Sequence, residues 1–211
     1  YKPEKIGLIH GSETFTYTQL VNRVDQIAHY LTTIGLSKGS RVGIYSNKSS
    51  SQVIAILALL STEYVFVPIT RLLKSEQVKH IIEDCNISCI ITDKAKIENI
   101  KAIDFKGKII SYEASDESDV SFEEIYKCYT ADISCDINGH DNAAITYSFG
   151  SSGNPKGIVI DHRAFIDGAR IVSNYLDIKS TDIISGILSF NLDYGLNQIF
   201  TSLYKKATLV I

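Results

Sequence analysis

The chain has no methionine and no tryptophan, and among 211 residues only 3 prolines, 4 cysteines and 5 histidines. With so few cysteines and histidines there is little material for a zinc framework. Cys85-x3-Cys89 and Cys128-x6-Cys135 match no zinc spacing and have no histidine pair beside them. Cys89 lies in the apolar run Ile87–Ile91, where a small buried hydrophobe is the ordinary reading, so free thiols in a reducing, cytoplasmic compartment are expected. No charged segment followed by an apolar stretch and a small-residue cleavage site opens the chain, so no signal peptide is read. The longest apolar run, Val53–Leu60, is far short of the ~20 residues that span a bilayer, so no membrane span is expected. Nor is there an excess of positive charge. Lys plus Arg is 21 against Asp plus Glu 24, a net charge of −3, which gives no footprint for nucleic acid. Without any methionine, Tyr1 reads as an internal position, and a piece of a longer protein is expected.

What is present is the balance of a soluble globular chain, 45% hydrophobic and 21% charged. Thr16-x-x-Gln19 has the form of a capping box. Leu20, Val24, Ile27, Leu31 and Ile34 follow at helical spacing, with Gly35 placed to end the helix. Strands are read at Arg41–Ser46, Tyr64–Ile69 (ended by Pro68), Ile87–Thr92, Lys108–Tyr112, Ala143–Tyr147, Gly157–Ile160, Ile183–Leu188 and Thr208–Ile211. Helices are read at Ser50–Leu60, Ser75–Asp84, Arg163–Leu176 and Leu196–Tyr204. Residues 113–142, rich in Ser and Asp, read as a surface excursion with a short helix near Phe122–Tyr126. This alternation predicts an α/β fold, with layered, mostly parallel sheets flanked by helices.

The most informative run is Tyr147-Ser148-Phe149-Gly150-Ser151-Ser152-Gly153-Asn154-Pro155-Lys156-Gly157. Its glycines let backbone approach a ligand without Cβ obstruction, its serines add donors, and successive N–H groups can form an anion-binding nest. Lys156 adds a mobile positive charge. The spacing is neither a Walker A loop nor a dinucleotide-binding glycine fingerprint. From the residues alone, a polyphosphate cradle and a plain Gly/Ser hairpin loop both remain open.

This run, followed by His162-Arg163, resembles the signature of the AMP-forming adenylating enzymes, Y/F-T-S-G-S/T-T-G-x-P-K-G and then H-R. That superfamily includes acyl-CoA synthetases, the amino-acid adenylation domains of nonribosomal peptide synthetases, D-alanine–carrier protein ligases and luciferases. Phe15–Leu20 resembles the family's L-T-Y-x-E-L entry, and Gly35–Val42 its G-V/L-x-x-G-D-x-V turn. Tyr64–Pro68 with Leu72–Gln77 resembles its Y-V-P-x-x-P-x-L-K-x-E segment. Phe149 departs from the usual small hydroxyl residue, Ser40 from the turn Asp, and Thr70-Arg71 from Asn/Asp-Pro.

The resemblance implies that residues 1–211 are the amino-terminal part of the large domain, with the small carboxy-terminal domain absent. It implies ATP, Mg²⁺ and coenzyme A or carrier-protein phosphopantetheine as cofactors. A small-molecule carboxylate is the implied substrate, and an acyl or peptidyl carrier protein a potential partner. By the same resemblance Ser148, Gly150, Ser151, Ser152, Gly153 and Lys156 would hold the phosphates, with no residue acting as nucleophile. A second segment, Ser189-Phe190-Asn191-Leu192-Asp193-Tyr194-Gly195-Leu196, would shape the acid pocket. Phe190 or Tyr194 would serve there as an aromatic gate, and Asp193 as the partner of a substrate ammonium group or as a helix cap. His162 and Arg163 stand between a capping role and ligand contact. Acyl-CoA ligation is the favoured reading, amino-acid adenylation the near alternative, and a non-catalytic nucleotide-binding module the alternative of another class. The Y-G-x-T-E tract, the ribose-binding Asp and the terminal lysine of the family are not in the sequence, so this piece alone is expected to be inactive.

Overall fold

The computed structural model describes residues 4–128, 135–148 and 155–211. Two sheets share one layered α/β body. The larger is built from β3 (Arg41–Tyr45), β4 (Val65–Ile69), β5 (Ile87–Thr92), β6 (Lys108–Ser111), β7 (Val120–Ser121), β8 (Asn142–Ser148) and β9 (Lys156–Asp161), in the order β7-β6-β5-β3-β4-β8-β9. All its pairs are parallel except β8–β9. The smaller comprises β1 (Ile6–His10), β2 (Glu13–Thr16), β10 (Ile183–Ser185) and β11 (Thr208–Val210), in the order β10-β11-β1-β2.

Helix α1 (Tyr17–Thr33) begins at the expected capping box: Gln19 N–H donates to Thr16 Oγ1 at 3.2 Å and Thr16 N–H donates to Gln19 Oε1 at 2.9 Å. Such a cap contributes about 1 kcal/mol. Leu20, Val24, Ile27 and Leu31 form its buried stripe. Helix α2 (Ser50–Leu60) is apolar nearly all round, and buries Val53, Ile54, Ala55, Ile56, Ala58 and Leu59 in the main core. A helix without a polar face must lie in the interior, and this one does. Helices α3 (Ser75–Asp84) and α4 (Ile97–Ala102) close a second core around Tyr45, Ile81, Ile90 and Tyr147. α6 (His162–Tyr175) and α7 (Asp193–Lys205) pack on each other through Phe165 and Phe200, whose ring centroids are 4.6 Å apart.

Several expectations are corrected. Pro68 lies inside β4, opposite Ile44, rather than ending it. It is two residues past the β4–β8 bridge at Phe66 and Ala144, where a missing N–H takes nothing from that ladder. Residues 113–142 are not wholly a surface excursion. Val120–Ser121 adds a strand to the sheet edge, and α5 (Phe122–Cys128) drives Phe122 and Ile125, each 1% exposed, into the core. The strand read at Ile183–Leu188 stops at Ser185, and α7 starts at Asp193, three residues before Leu196.

All four cysteines are free; Cys85 and Cys89 are buried and Cys128 is exposed. Burial pushes the Cys89 thiol up to about 12. Iodoacetamide at pH 8 is therefore expected to alkylate Cys128 in the native protein and to reach Cys85 and Cys89 only in denaturant, as read by peptide mass spectrometry. Labelling of Cys89 as fast as Cys128 would contradict its placement in β5.

Candidate active site

The antiparallel β8–β9 hairpin carries the Gly/Ser run. Of the proposed phosphate-binding residues, Gly150, Ser151, Ser152 and Gly153, with Phe149, lie outside the described residues. Ser148 and Lys156 stand at the two ends of that stretch as directly paired positions, both exposed, with Ser148 Oγ donating to the Lys156 carbonyl at 3.5 Å. The hairpin is fixed from below. Tyr147, 8% exposed, donates its hydroxyl to Asp84 Oδ2, at the end of α3, and lies 3.1 Å from Cys85 Sγ. Burial, then the neighbouring Asp84 and Cys85, push the Tyr147 hydroxyl well above its ordinary value. Across the ladder from Tyr147 is Gly157, where a Cβ would stand 3.0 Å from Ile145 Cγ2 and 3.4 Å from Tyr147 Cζ. A side chain after Lys156 would thus crowd Ile145, while its contact with the tyrosine ring would be ordinary.

The second motif meets the first residue of the Gly/Ser run, Tyr147. Tyr147, Pro68, Thr70, Ser189, Asn191 and Leu192 line one cavity of about 230 Å³. Segments distant in sequence meet at the carboxyl ends of β4 and β8, where open α/β sheets bind ligands. Within this segment Tyr194 is 80% exposed, Asp193 is exposed, and Phe190 is 1% exposed in the main core. Asp193 is the first residue of α7. Leu192 occupies the cap position without a side-chain bond, so Asp193 does not cap and its carboxylate lies near the helix amino end. Gly195 is demanded by the backbone: a Cβ there would stand 2.0 Å from the Ser189 carbonyl oxygen.

His162 and Arg163 have local partners. The His162 N–H donates to the Asp141 carbonyl at 3.2 Å and the Arg163 N–H to that of Gly139 at 2.8 Å. Arg163 Nε also pairs with Asp167 at 3.3 Å. Burial, outweighing Asp141 and Asp161, lowers the His162 imidazole. A larger cavity, about 380 Å³, lies between α6 and α7, but apart from His162 its lining is mostly apolar and it contains neither motif's chemistry.

Composition and spacing gave no signal for a cluster at the carboxyl end of β3. Ser46 Oγ is 3.0 Å from the Tyr112 hydroxyl. Asn47 donates to Asp93 Oδ2 through its backbone N–H at 2.6 Å and its side chain at 2.7 Å. Ser50 Oγ donates to Glu13 Oε2 at 2.6 Å. The residues are unremarkable singly, and only the fold brings their partners near.

The profile of the AMP-binding enzyme family matches residues 1–211. The chain is 27% identical to gramicidin S synthase 1 of Brevibacillus brevis, over 100% of its own length and 18% of that protein's. It is also 27% identical to bacitracin synthase 1 of Bacillus licheniformis, over 99% of its length and 4% of that protein's. It superposes on ATP-bound MatB from Rhodopseudomonas palustris at TM-score 0.89 and 21% identity, covering 100% of this chain and 42% of that one. On the anthranilate CoA ligase AuaEII in complex with anthranoyl-AMP the TM-score is 0.91 at 23% identity, covering 99% of this chain and 42% of that one. The chain thus spans less than a fifth of these two curated relatives and about two fifths of these solved structures. It belongs to the AMP-binding enzyme family. Its fold is that of the amino-terminal part of adenylate-forming enzymes, as the motif at 147–157 implies.

Proposed function

We propose that this chain is the phosphate-binding and acid-facing part of an AMP-forming acid–thiol ligase. In the reaction a carboxylate oxygen attacks the α-phosphorus of ATP, the P–O bond to pyrophosphate breaks, and an acyl-adenylate forms. A thiolate then attacks the acyl carbon and AMP leaves. The observation that carries the reading is the meeting of Tyr147, at the mouth of the Gly/Ser run, with Ser189, Asn191 and Leu192 around one cavity.

The physical difficulty in the first step is that two anions must approach. Ser148, Gly150, Ser151, Ser152 and Gly153 would offer hydroxyl and amide donors to the β- and γ-phosphates, and Lys156 would offer the cation. None changes its own bonding; each lowers the electrostatic cost of approach and of charge building on the leaving oxygen. Among the described residues no three His, Cys, Asp or Glu side chains gather as a metal cage. A hard divalent cation such as Mg²⁺ suits this arrangement when carried on nucleotide phosphate oxygens, where it screens their charge. On the acid side neither Tyr194 nor Phe190 lines that cavity; Tyr194, being exposed, is free to turn toward a substrate as a gate, whereas Phe190 is committed to the core. Asp193 is open to an amino group on the substrate.

Coenzyme A and a carrier-protein phosphopantetheine both fit a thiol acceptor. The acyl-CoA reading is supported by Tyr194-Gly195-Leu196, and the amino-acid reading by Asp193 and by the likeness to gramicidin S synthase 1 and bacitracin synthase 1. The test is carboxylate-dependent ATP–pyrophosphate exchange by the full-length protein against fatty, aryl and amino acids. Exchange with a subset of the panel is expected, and no exchange with any acid would leave only a nucleotide-binding module. If amino acids are substrates, Asp193→Ala is expected to weaken their use at least ~tenfold, the effect of removing one charge-assisted hydrogen bond. Plain fatty acids would be unaffected by that change.

A further inference from the structure

One lysine ties the segment after β3 to the run that precedes α7. Lys48 follows β3 in the 46–50 segment, where Ser46 is bonded to Tyr112 just past β6, Asn47 to Asp93 just past β5 and Ser50 to Glu13 in β2, while Ser49 caps α2. From this fixed base its ammonium donates to the Gly186 carbonyl and, at 2.7 Å, to the Leu188 carbonyl. It also lies 4.4 Å from the centroid of the Phe190 ring. Its partners are two carbonyls and an aromatic face rather than a carboxylate, and all three belong to the run that leads into Asp193 and Tyr194. Partial burial lowers the ammonium from its ordinary value, which is tolerated because carbonyl oxygens and a ring replace water around it.

Resting on the acid-binding reading above, we propose that Lys48 is a positioning residue that fixes the acid-facing run 186–194 and so sets affinity for the carboxylic acid, without touching nucleotide. Apart from Phe190, buried in the main core, the run has few backbone anchors. Gly186 N–H donates to the Val210 carbonyl at 2.7 Å, Leu188 N–H reaches Gln198 Oε1 at 3.3 Å, and Leu192 N–H reaches the Ser189 carbonyl at 3.1 Å. Among the described residues, no backbone-to-backbone bond ties residues 187 and 188 to the rest of the fold, so the side chains of Lys48 and Gln198 share in ordering them.

The test uses Lys48→Met, which keeps an apolar stem, and Lys48→Arg, which keeps the charge, the donors and stacking on Phe190. In the full-length protein Lys48→Met is expected to raise KM for the acid about tenfold, the scale set by one charge-assisted hydrogen bond, with KM for ATP unchanged. Lys48→Arg is expected to restore most of it. Hydrogen–deuterium exchange of the folded chain reads the same change without activity: the Gly186 and Leu188 amides should exchange about tenfold faster in Lys48→Met. Equal rises in KM for acid and ATP, or unchanged exchange at 186–188, would overturn the assignment. Should the wild-type protein fail to use any carboxylate, the ligase reading fails, and amide exchange alone still decides whether Lys48 orders this run.

Discussion

Replacing Gly195 by alanine is expected to destabilise the protein by about 3 kcal/mol or more, lowering Tm by roughly 10 °C. The methyl group would stand 2.0 Å from the Ser189 carbonyl oxygen, 2.6 Å from its carbonyl carbon and 3.2 Å from the Leu188 carbonyl oxygen. All of these are backbone atoms, so no side chain can turn aside, and either α7 or the 188–189 turn must move. Gly168→Ala is the control. It lies within α6, and its added methyl would meet only the flexible Asn197 side chain, at 3.2 Å. Alanine is the better helix former by about 1 kcal/mol, so that variant should stay within about 1 kcal/mol of the parent. Thermal and urea unfolding of both variants decide the matter. Equal stability would mean that the chain after β10 does not fold against Gly195 as described.

Lys156→Ala is expected to leave stability nearly unchanged while weakening MgATP binding about tenfold to a hundredfold. The side chain is exposed at the edge of β9, so little packing is removed. On the proposed assignment it provides a charge-assisted bond to phosphate, worth roughly 1.5–3 kcal/mol. Calorimetric titration of the full-length protein with MgATP reads the affinity, and a melting curve checks the fold. A titration that overlays the wild type would remove Lys156 from the phosphate site. Tyr147→Phe offers no substitute for this test, because Tyr147 acts through Asp84 on the hairpin as a whole.

Much of the architecture is legible in the sequence where local chemistry decides it. The spacing of Leu20, Val24, Ile27 and Leu31 behind a Thr–Gln capping box predicts α1, and the all-apolar Val53–Leu60 predicts an interior helix. The division into two sheets is not legible, because pairing Leu8 with Leu209 is a matter of tertiary contact rather than of any local pattern. The β1–β2 hairpin escapes for the same reason, since two strands of four or five residues carry too little alternation. The glycine-rich run is legible as a donor-rich loop, whereas the 189–196 segment is legible only through its resemblance to a family; that Tyr147 and Ser189 line one cavity is visible only in the fold. Lys48 is not legible. A single lysine before a run of serines looks like any exposed residue, and its carbonyl partners lie 138 and 140 residues downstream. That Phe190 is buried while Tyr194 is exposed is equally a product of packing, since both sit in the same polar-flanked stretch.

The smaller sheet places β11 between β10 and β1, with Lys5 donating to the carbonyl of Lys206, 201 residues away. During synthesis, then, the β1–β2 hairpin leaves the ribosome and waits for nearly the whole of this sequence before its neighbour exists. Closing so long a loop is slow, and until it closes the hydrogen-bonding rim of β1 is an open edge on which a second nascent copy could pair. Early chaperone occupancy of residues 6–16 would shield that edge through the interval, at a stage when no nucleotide or acid site has yet formed.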